Sequence, residues 1–506
     1  MVKVKDTKAQ WHNGPNREDF LSLLFIFCCV FFLGQAPADT FTIPNAVIQI
    51  FSHEQVFNPA LPWLSSPLNA SSGSGFVLEG NLLLTNAHVV SQAKYIEVKK
   101  QNEAKRYLAV IKWISHVSDL AILEVSSSTF YDNLTPLSLG PIPKLNSIVK
   151  AAGFPLGGEK LSITNGIVSR IDRIIYSHSG VDEHLVIQTD AALNLGNSGG
   201  PVIQNDLVVG MAFQGLGTGD NIGYLIPSTL IKHFLQDIQD GHVDGVPELG
   251  INFLPLPPVM RQFLRLPQEK SGILINDVHP LGPCHQILIK NDILTSINGY
   301  PILDDGSITL EGLQVAFYEI IERSQMNESI SLEWYRNGEK NNQTVRLTKI
   351  PFVLDVGMTY ETHRGYVICA GLVFVKLNGE YMHFFGKDWW TQMPHPFRLL
   401  YYYQTRFNQD PERKYYVVLS AVLKDFFNAH AAPFQNEILQ TINDVPIHCL
   451  DDVKTAFSKS KGSFHVLRFF ENSTPLILNA EKSSARQSHL LKKYAVPMAM
   501  DQEKSQ

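Results

Sequence analysis

Gly196-Asn197-Ser198-Gly199-Gly200-Pro201, running on as PVIQNDLVVGMAF to residue 213, is the stretch on which the fold turns. A serine between glycines on a tight turn can present its hydroxyl outward while neighbouring backbone N–H groups converge on one point. Such a point is an oxyanion hole, which stabilises the charge of an acyl-transfer transition state. The segment after Pro201 reads as two strands around a polar turn. An α/β-hydrolase elbow would pass from strand to helix and place its acid and histidine after the serine. Neither condition is met.

The partners that a weak serine nucleophile needs stand upstream. Thr85-Asn86-Ala87-His88-Val89-Val90 places a histidine at the end of an apolar strand, and Ser118-Asp119-Leu120-Ala121-Ile122-Leu123 opens another strand with an aspartate. Taken singly, His88 reads as a core histidine and Asp119 as a turn or strand cap. Together, the order His88, Asp119, Ser198 on short strands is that of the chymotrypsin-type double β-barrel. The rest of residues 45–241 agrees: AVIQIF (46–51), GFVL (75–78), YLAVIKWI (107–114), LVIQT (185–189) and IGYLI (222–226) are short β-rich runs between turn residues. At Pro227-Ser228 the period changes. Leu230, Ile231, Phe234, Leu235 and Ile238 share one helical face, which ends at Gly241. HVDGVPE (242–248) then reads as a linker.

Beyond the linker the chain repeats itself. Asp292-Ile-Leu-Thr-Ser-Ile-Asn-Gly-Tyr-Pro-Ile302 aligns without gaps on Glu437-Ile-Leu-Gln-Thr-Ile-Asn-Asp-Val-Pro-Ile447. Each copy gives an acid, a strand and an Asn-led turn. Each then leads into a helix-like stretch (about 309–323 and about 451–458) and a hairpin, with Asn337-Gly338 as the first hairpin's turn. Two related α+β modules are therefore expected at 248–350 and 351–485, followed by a loosely ordered polar tail at 486–506.

The N-terminus reads as an address. FLSLLFIFCCVFFL (20–33) is short for a bilayer span, basic residues precede it, and Ala36-Pro37-Ala38 follows as a small-x-small cleavage pattern. A signal peptide over 1–38, cut after Ala38, and an uncleaved anchor are the two favoured readings, with a buried helix as the third; either favoured reading carries the chain out of the cytosol. Forty-two basic against 48 acidic residues, with no long Lys/Arg run, exclude a phosphate-gripping nucleic-acid binder. Five scattered cysteines exclude a disulfide scaffold and give no zinc-ligand spacing. His53, His116 and His430 read as surface histidines. No P-loop or other cofactor motif appears, so neither metal nor cofactor is implied.

The sequence resembles the HtrA/Deg serine proteases. Ser72-Gly-Ser-Gly-Phe-Val77, TNAHVV (85–90), SDLAIL (118–123), GNSGGP (196–201) and NIGYLIPS (221–228) stand in that family's order, nearest to the Deg branch of plants and some bacteria. The resemblance implies that His88 is the general base and acid, that Asp119 fixes its tautomer, that Ser198 forms the acyl-enzyme and that the backbone N–H groups of Gly196 and Ser198, with Asn197 between, form the oxyanion hole. It implies a substrate-flanking strand at Ala212-Phe213-Gln214. Ala192, where a trypsin-like enzyme keeps its acid, implies an apolar specificity pocket. The two modules become PDZ-like domains, the first with a peptide carboxylate loop at Leu249-Gly250-Ile251 and the second divergent. Unfolded polypeptides and peptide C-termini are the implied partners. The implied assembly is a trimer or a multiple of one, joined through Phe51–Trp63, in the periplasm or an equivalent compartment. The competing class is a non-proteolytic chaperone or PDZ scaffold on the same fold.

Overall fold

The computed structural model describes residues 45–501 apart from 156–157, 159, 216–221, 361–364, 408–409 and 499. The expected N-terminal address lies outside the described residues.

Strands β1 (Val47–Glu54), β2 (Asn69–Leu78), β3 (Leu82–Thr85), β4 (Ala93–Lys100), β5 (Arg106–Ser115) and β6 (Leu120–Val125) close into a barrel in the order β1-β2-β3-β6-β5-β4. The second barrel follows with β7 (Ser138–Leu139), β8 (Ile148–Gly153), β9 (Ser162–Ile175), β10 (Glu183–Thr189), β11 (Pro201–Gln204), β12 (Leu207–Gly215) and β13 (Gly223–Pro227). Its order is β11-β8-β9-β10-β13-β12; pairing of β11 with β12 completes the ring, and β7 lies parallel to β12. The polar turn after Ser198 is Asn205-Asp206, with φ of 50° and 64°. Both are left-handed, which Asn and Asp tolerate, as a two-residue hairpin turn requires. The helix expected after Pro227 spans Ser228–Asp237 and buries Leu230, Ile231 and Phe234; Gly241 ends the segment at φ 95°. The linker is tied down, because the Asp237 carboxylate accepts from the N–H groups of Asp244 and Gly245.

The duplication is visible in three dimensions. Asn298 donates its N–H to the Ser331 carbonyl and accepts from the Ser331 N–H, both at 2.8 Å. Asn443 makes the same pair with Val466, at 2.8 and 2.9 Å. The two Asn-led turns return into Tyr300–Pro301 and Val445–Pro446 in matching registers. Between residues 309 and 323, however, the expected helix is mostly a hairpin. Ser307–Leu310 pairs with Leu313–Ala316, and only Tyr318–Glu322 is helical. Glu311-Gly312, with φ of 53° and 80°, forms the turn, and Ile308, Thr309 and Val315 suit strands. The second copy does carry a helix, Leu450–Phe457, boxed at its start by Cys449 and Asp452.

The modules differ at one edge. In the first, Ile251–Pro255 is an edge strand, paired among the described residues only with Ile273–Val278. In the second, the strand holding that place in the chain order, Leu372–Lys376, is paired on both sides, by Val417–Val422 and by Tyr366–Cys369. Where a loosely ordered tail was expected, the described residues include a helix and a short strand. Ala480–Lys493 is a helix capped by Asn479, with Leu490 fully buried and Arg486 paired to Asp425 at 2.8 Å. Met500–Asp501 then pairs with Tyr366–Val367. Cys284, Cys369 and Cys449 are free thiols.

Asn443 is almost fully buried, donates to the Ala456 carbonyl and holds a left-handed φ of 52°. Asn443→Ala removes the acceptor of the Val466 N–H and one donor to the Ala456 carbonyl, in a backbone conformation alanine disfavours. The expected loss is about 1–3 kcal/mol, read from the urea midpoint of the transition that unfolds the second module.

Candidate active site

His88 lies on a single helical turn, Ala87–Val90, between β3 and β4. Asp119 sits just before β6, fully buried, at φ 53°. That left-handed backbone, which Asp accepts more readily than most residues, turns both carboxylate oxygens toward the histidine. Oδ1 accepts from the His88 backbone N–H at 2.8 Å, and Oδ2 meets His88 Nδ1 at 2.7 Å. Asn86 Nδ2 donates to the Asp119 carbonyl at 3.1 Å. Burial opposes the imidazolium, but the charge and hydrogen bond of Asp119 outweigh it and raise the His88 pKa above 6.5. Burial likewise disfavours the Asp119 carboxylate, and the His88 interactions reverse this, lowering its pKa below the usual 3.8. The imidazole remains about one-third exposed, so a reactant can reach it.

The serine turn is built by close backbone approach. Gly199 has φ 84°, and a Cβ there would lie 2.0 Å from the Ser74 carbonyl oxygen. Ser74 ties the turn to β2: its N–H donates to the Ser198 carbonyl at 2.8 Å and its Oγ donates to the Gly196 carbonyl at 2.7 Å. The Asn197 N–H donates to the Asn194 carbonyl. Among the described residues, the N–H groups of Gly196 and Ser198 have no hydrogen-bond partner. A Cβ on Gly73 would touch both Val89, beside His88, and the Ser198 carbonyl, so β2 carries both walls of the site. Ser198 Oγ donates to the Phe213 carbonyl at 3.3 Å, not to His88.

The substrate-flanking residues are placed unevenly. Ala212 and Phe213 are buried in β12, and the Phe213 ring packs on Tyr176 with centroids 4.5 Å apart. Gln214 pairs with Tyr224 through its backbone. Ala192 is exposed on the approach to Ser198, and its carbonyl accepts from Thr164 Oγ1. Leu249-Gly250-Ile251 lines a cavity of about 570 Å³ that the loop Val181–His184 and Tyr401-Tyr402 also border. Gly250 has φ 69° and abuts Gly282. Next to it, burial pushes the Glu248 carboxyl up to about 7; Lys349 opposes the shift and Asp182 adds to it.

Sequence reading missed the groups beside His88. His116 is half-buried, and its Nδ1 lies 2.9 Å from Nε2 of buried His178. The His178 and His88 ring centroids are 6.2 Å apart. Tyr360, from the start of the second module, stacks on His178 at 4.2 Å. His430 is exposed, as expected, and its Nε2 meets the Ile477 carbonyl.

Several known proteins are similar to this chain. Residues 73–211 match the trypsin-like peptidase domain family, and residues 357–503 match a PDZ domain family. The chain is 37% identical over 341 residues to Protease Do-like 4, mitochondrial, of Arabidopsis thaliana, covering 67% of this chain and 65% of the relative. It is 31% identical over 463 residues to Protease Do-like 2, chloroplastic, of the same plant, covering 90% and 74%. Among solved structures, "HtrA-type protease AlgW with tripeptide" aligns at 26% identity and a TM-score of 0.46, over 60% of this chain and 94% of that one.

The pKa shifts of the pair set its pH behaviour. Stability from His88 is present below pH 6.5 and is lost as pH rises through its raised native pKa. Stability from Asp119 is present above 3.8 and is lost as pH falls through its lowered native pKa. In Asp119→Asn the His88 titration, followed by NMR of the labelled imidazole, should move to lower pH than in the unmodified chain. An unmoved midpoint would contradict the pairing.

Proposed function

Because this chain belongs to the Do-like (HtrA/Deg) family of serine proteases, we propose that it is an ATP-independent endopeptidase acting on unfolded or damaged polypeptides. The observation that carries the reading is the His88–Asp119 pair facing, across β2, a serine turn with two unpaired N–H groups. In use, Ser198 Oγ leaves the Phe213 carbonyl and turns to His88 Nε2. His88 takes its proton as the oxygen attacks the scissile carbonyl, then passes the proton to the departing amine. Asp119 holds Nδ1 as the donor and stabilises the imidazolium. The Gly196 and Ser198 N–H groups, with Asn197 between them, receive the developing oxyanion. Water on the same histidine then frees the acyl-enzyme.

Ala192, Ala212, Phe213 and Gln214 flank the residue before the cut. With no acid at Ala192, a bound Lys or Arg would leave its charge unpaired. That costs several kcal/mol, against about 1–3 kcal/mol gained from an aliphatic side chain. The first module takes chain ends: an extended peptide adds to the free edge of Ile251–Pro255, its carboxylate at Leu249-Gly250-Ile251. The second module serves as a wall, since Tyr366–Cys369 already pairs with the equivalent strand. Its boundary extends past 485 through the helix Ala480–Lys493, behind modules of 45–241 and 248–350. A homo-oligomer built on trimers completes the reading. Of the segment Phe51–Trp63, however, Ala60, Leu61 and Trp63 are engaged with the second module within the chain, which leaves half-exposed Val56 for a partner. The N-terminal address takes the chain to a compartment reached by translocation, the periplasm or, as the relatives' names indicate for them, an organelle.

Ser198→Ala should keep the fold and lose casein cleavage by a factor on the order of 10⁶. Casein bound but uncut by the unmodified protein would instead favour the chaperone or scaffold class. A mass-spectrometric map of cuts should show Val, Ile, Ala or Leu before the scissile bond; dominance of Lys and Arg would overturn the pocket while leaving the triad untouched.

A further inference from the structure

Four consecutive residues in the loop between β9 and β10 are each held by the second module. The His178 carbonyl accepts from Tyr360 Oη at 2.8 Å, while the Tyr360 ring lies flat on the His178 imidazole, 3° from parallel. The Ser179 carbonyl accepts from the Met358 N–H at 3.0 Å. Gly180 is seated so that a Cβ there would come within 2.8 Å of the His383 ring. Val181 packs on the second module's core. The gripping segment is itself fixed: Glu380 Oε1 accepts from the Thr359 N–H, Thr359 Oγ1 and the Tyr360 N–H, at 2.6 to 2.9 Å.

On its other side, His178 touches both elements that carry the catalytic pair. Its Nε2 lies 3.4 Å from Ser91 Oγ, which donates to the Ala87 carbonyl at the turn bearing His88. The same Nε2 lies 2.9 Å from His116 Nδ1, on the loop that leads into Asp119. Tyr360 also lies beside His116, with ring centroids 5.3 Å apart.

We propose that Tyr360 is a positioning residue for the hydrolytic site: through stacked His178, it braces the His88 turn and the His116–Asp119 loop against each other. This rests on the triad reading given above. Burial holds His178 down to about 3 and His116 down to about 4, so both rings are neutral at the pH where His88 works. An imidazolium formed on His88 during acyl transfer therefore meets no like charge from its two histidine neighbours. Two neutral rings and one phenol are a rigid, uncharged brace, and small displacements of a general base are costly to rate.

The test uses the full chain, with Tyr360→Ala, Tyr360→Phe and Glu380→Gln beside Ser198→Ala. The readouts are kcat and KM on a short peptide ester, the rate of Ser198 labelling by a fluorophosphonate, and the melting temperature. Tyr360→Ala should lower kcat and the labelling rate together, by about tenfold or more, with KM changed less than about twofold. Tyr360→Phe, which keeps the stacked ring, should recover most of the loss, and Glu380→Gln should fall between the two. Unchanged kcat and labelling in Tyr360→Ala would overturn the proposal while the triad stands. So would losses that follow melting temperature alone with no recovery in Tyr360→Phe. Labelling that survives Ser198→Ala would remove the nucleophile assignment, and the proposal with it.

Discussion

An ionised carboxylate with no exposure to water is the constraint around which the site is built. Burying an unpaired charge costs several kcal/mol, and Asp119 is fully buried. Its two oxygens are answered by two N–H groups of one residue, the backbone and Nδ1 of His88, at 2.8 and 2.7 Å. That solution needs a left-handed φ at 119 and a single helical turn at 87–90, so the ends of β3 and β6 must meet there. The same pairing that makes the carboxylate tolerable leaves His88 Nε2 as the ring's acceptor, the tautomer a general base requires. Stability and chemistry thus share one hydrogen-bonded pair.

The remainder of the site is glycine-driven approach. Gly199 and Gly200 lie so close to the carbonyls of Ser74 and Ala152 that any side chain would collide with backbone. The serine turn is therefore locked to β2 and β8, and the two barrels are joined at the point where the reactive groups meet.

What could be read beforehand was whatever local chemistry dictates. Order and flanking motifs singled out His88, Asp119 and Ser198 as candidates, of which the first two are hydrogen-bonded, and the repeated Asn298 and Asn443 betrayed a duplication because each must hold the same left-handed turn. Residues 309–323 misled, since their apolar spacing suits a helix as well as a hairpin, and the left-handed turn at Glu311-Gly312 decides for the hairpin. The polar surface of Ala480–Lys493 concealed a helix anchored by Leu490. Tyr360, His116 and His178 were out of reach for a different reason. They come from three distant segments, and a flat stack of rings leaves no periodicity in sequence. The exposed position of Ala192 was equally invisible, because side-chain direction in an irregular loop follows from tertiary contacts.

The grip on residues 178–181 also bears on timing. The three residues proposed to react are encoded before residue 199, yet the wall that rests on His178 is encoded from Met358 to His383, and among the described residues the second module's sheet takes its last strand from Met500–Asp501. A ribosome therefore releases the reactive groups long before it supplies their support. A chain still being made, crowded against other unfolded chains, carries the proposed triad without the proposed brace. If Tyr360 braces the site as proposed, completion of the polypeptide is itself a safeguard.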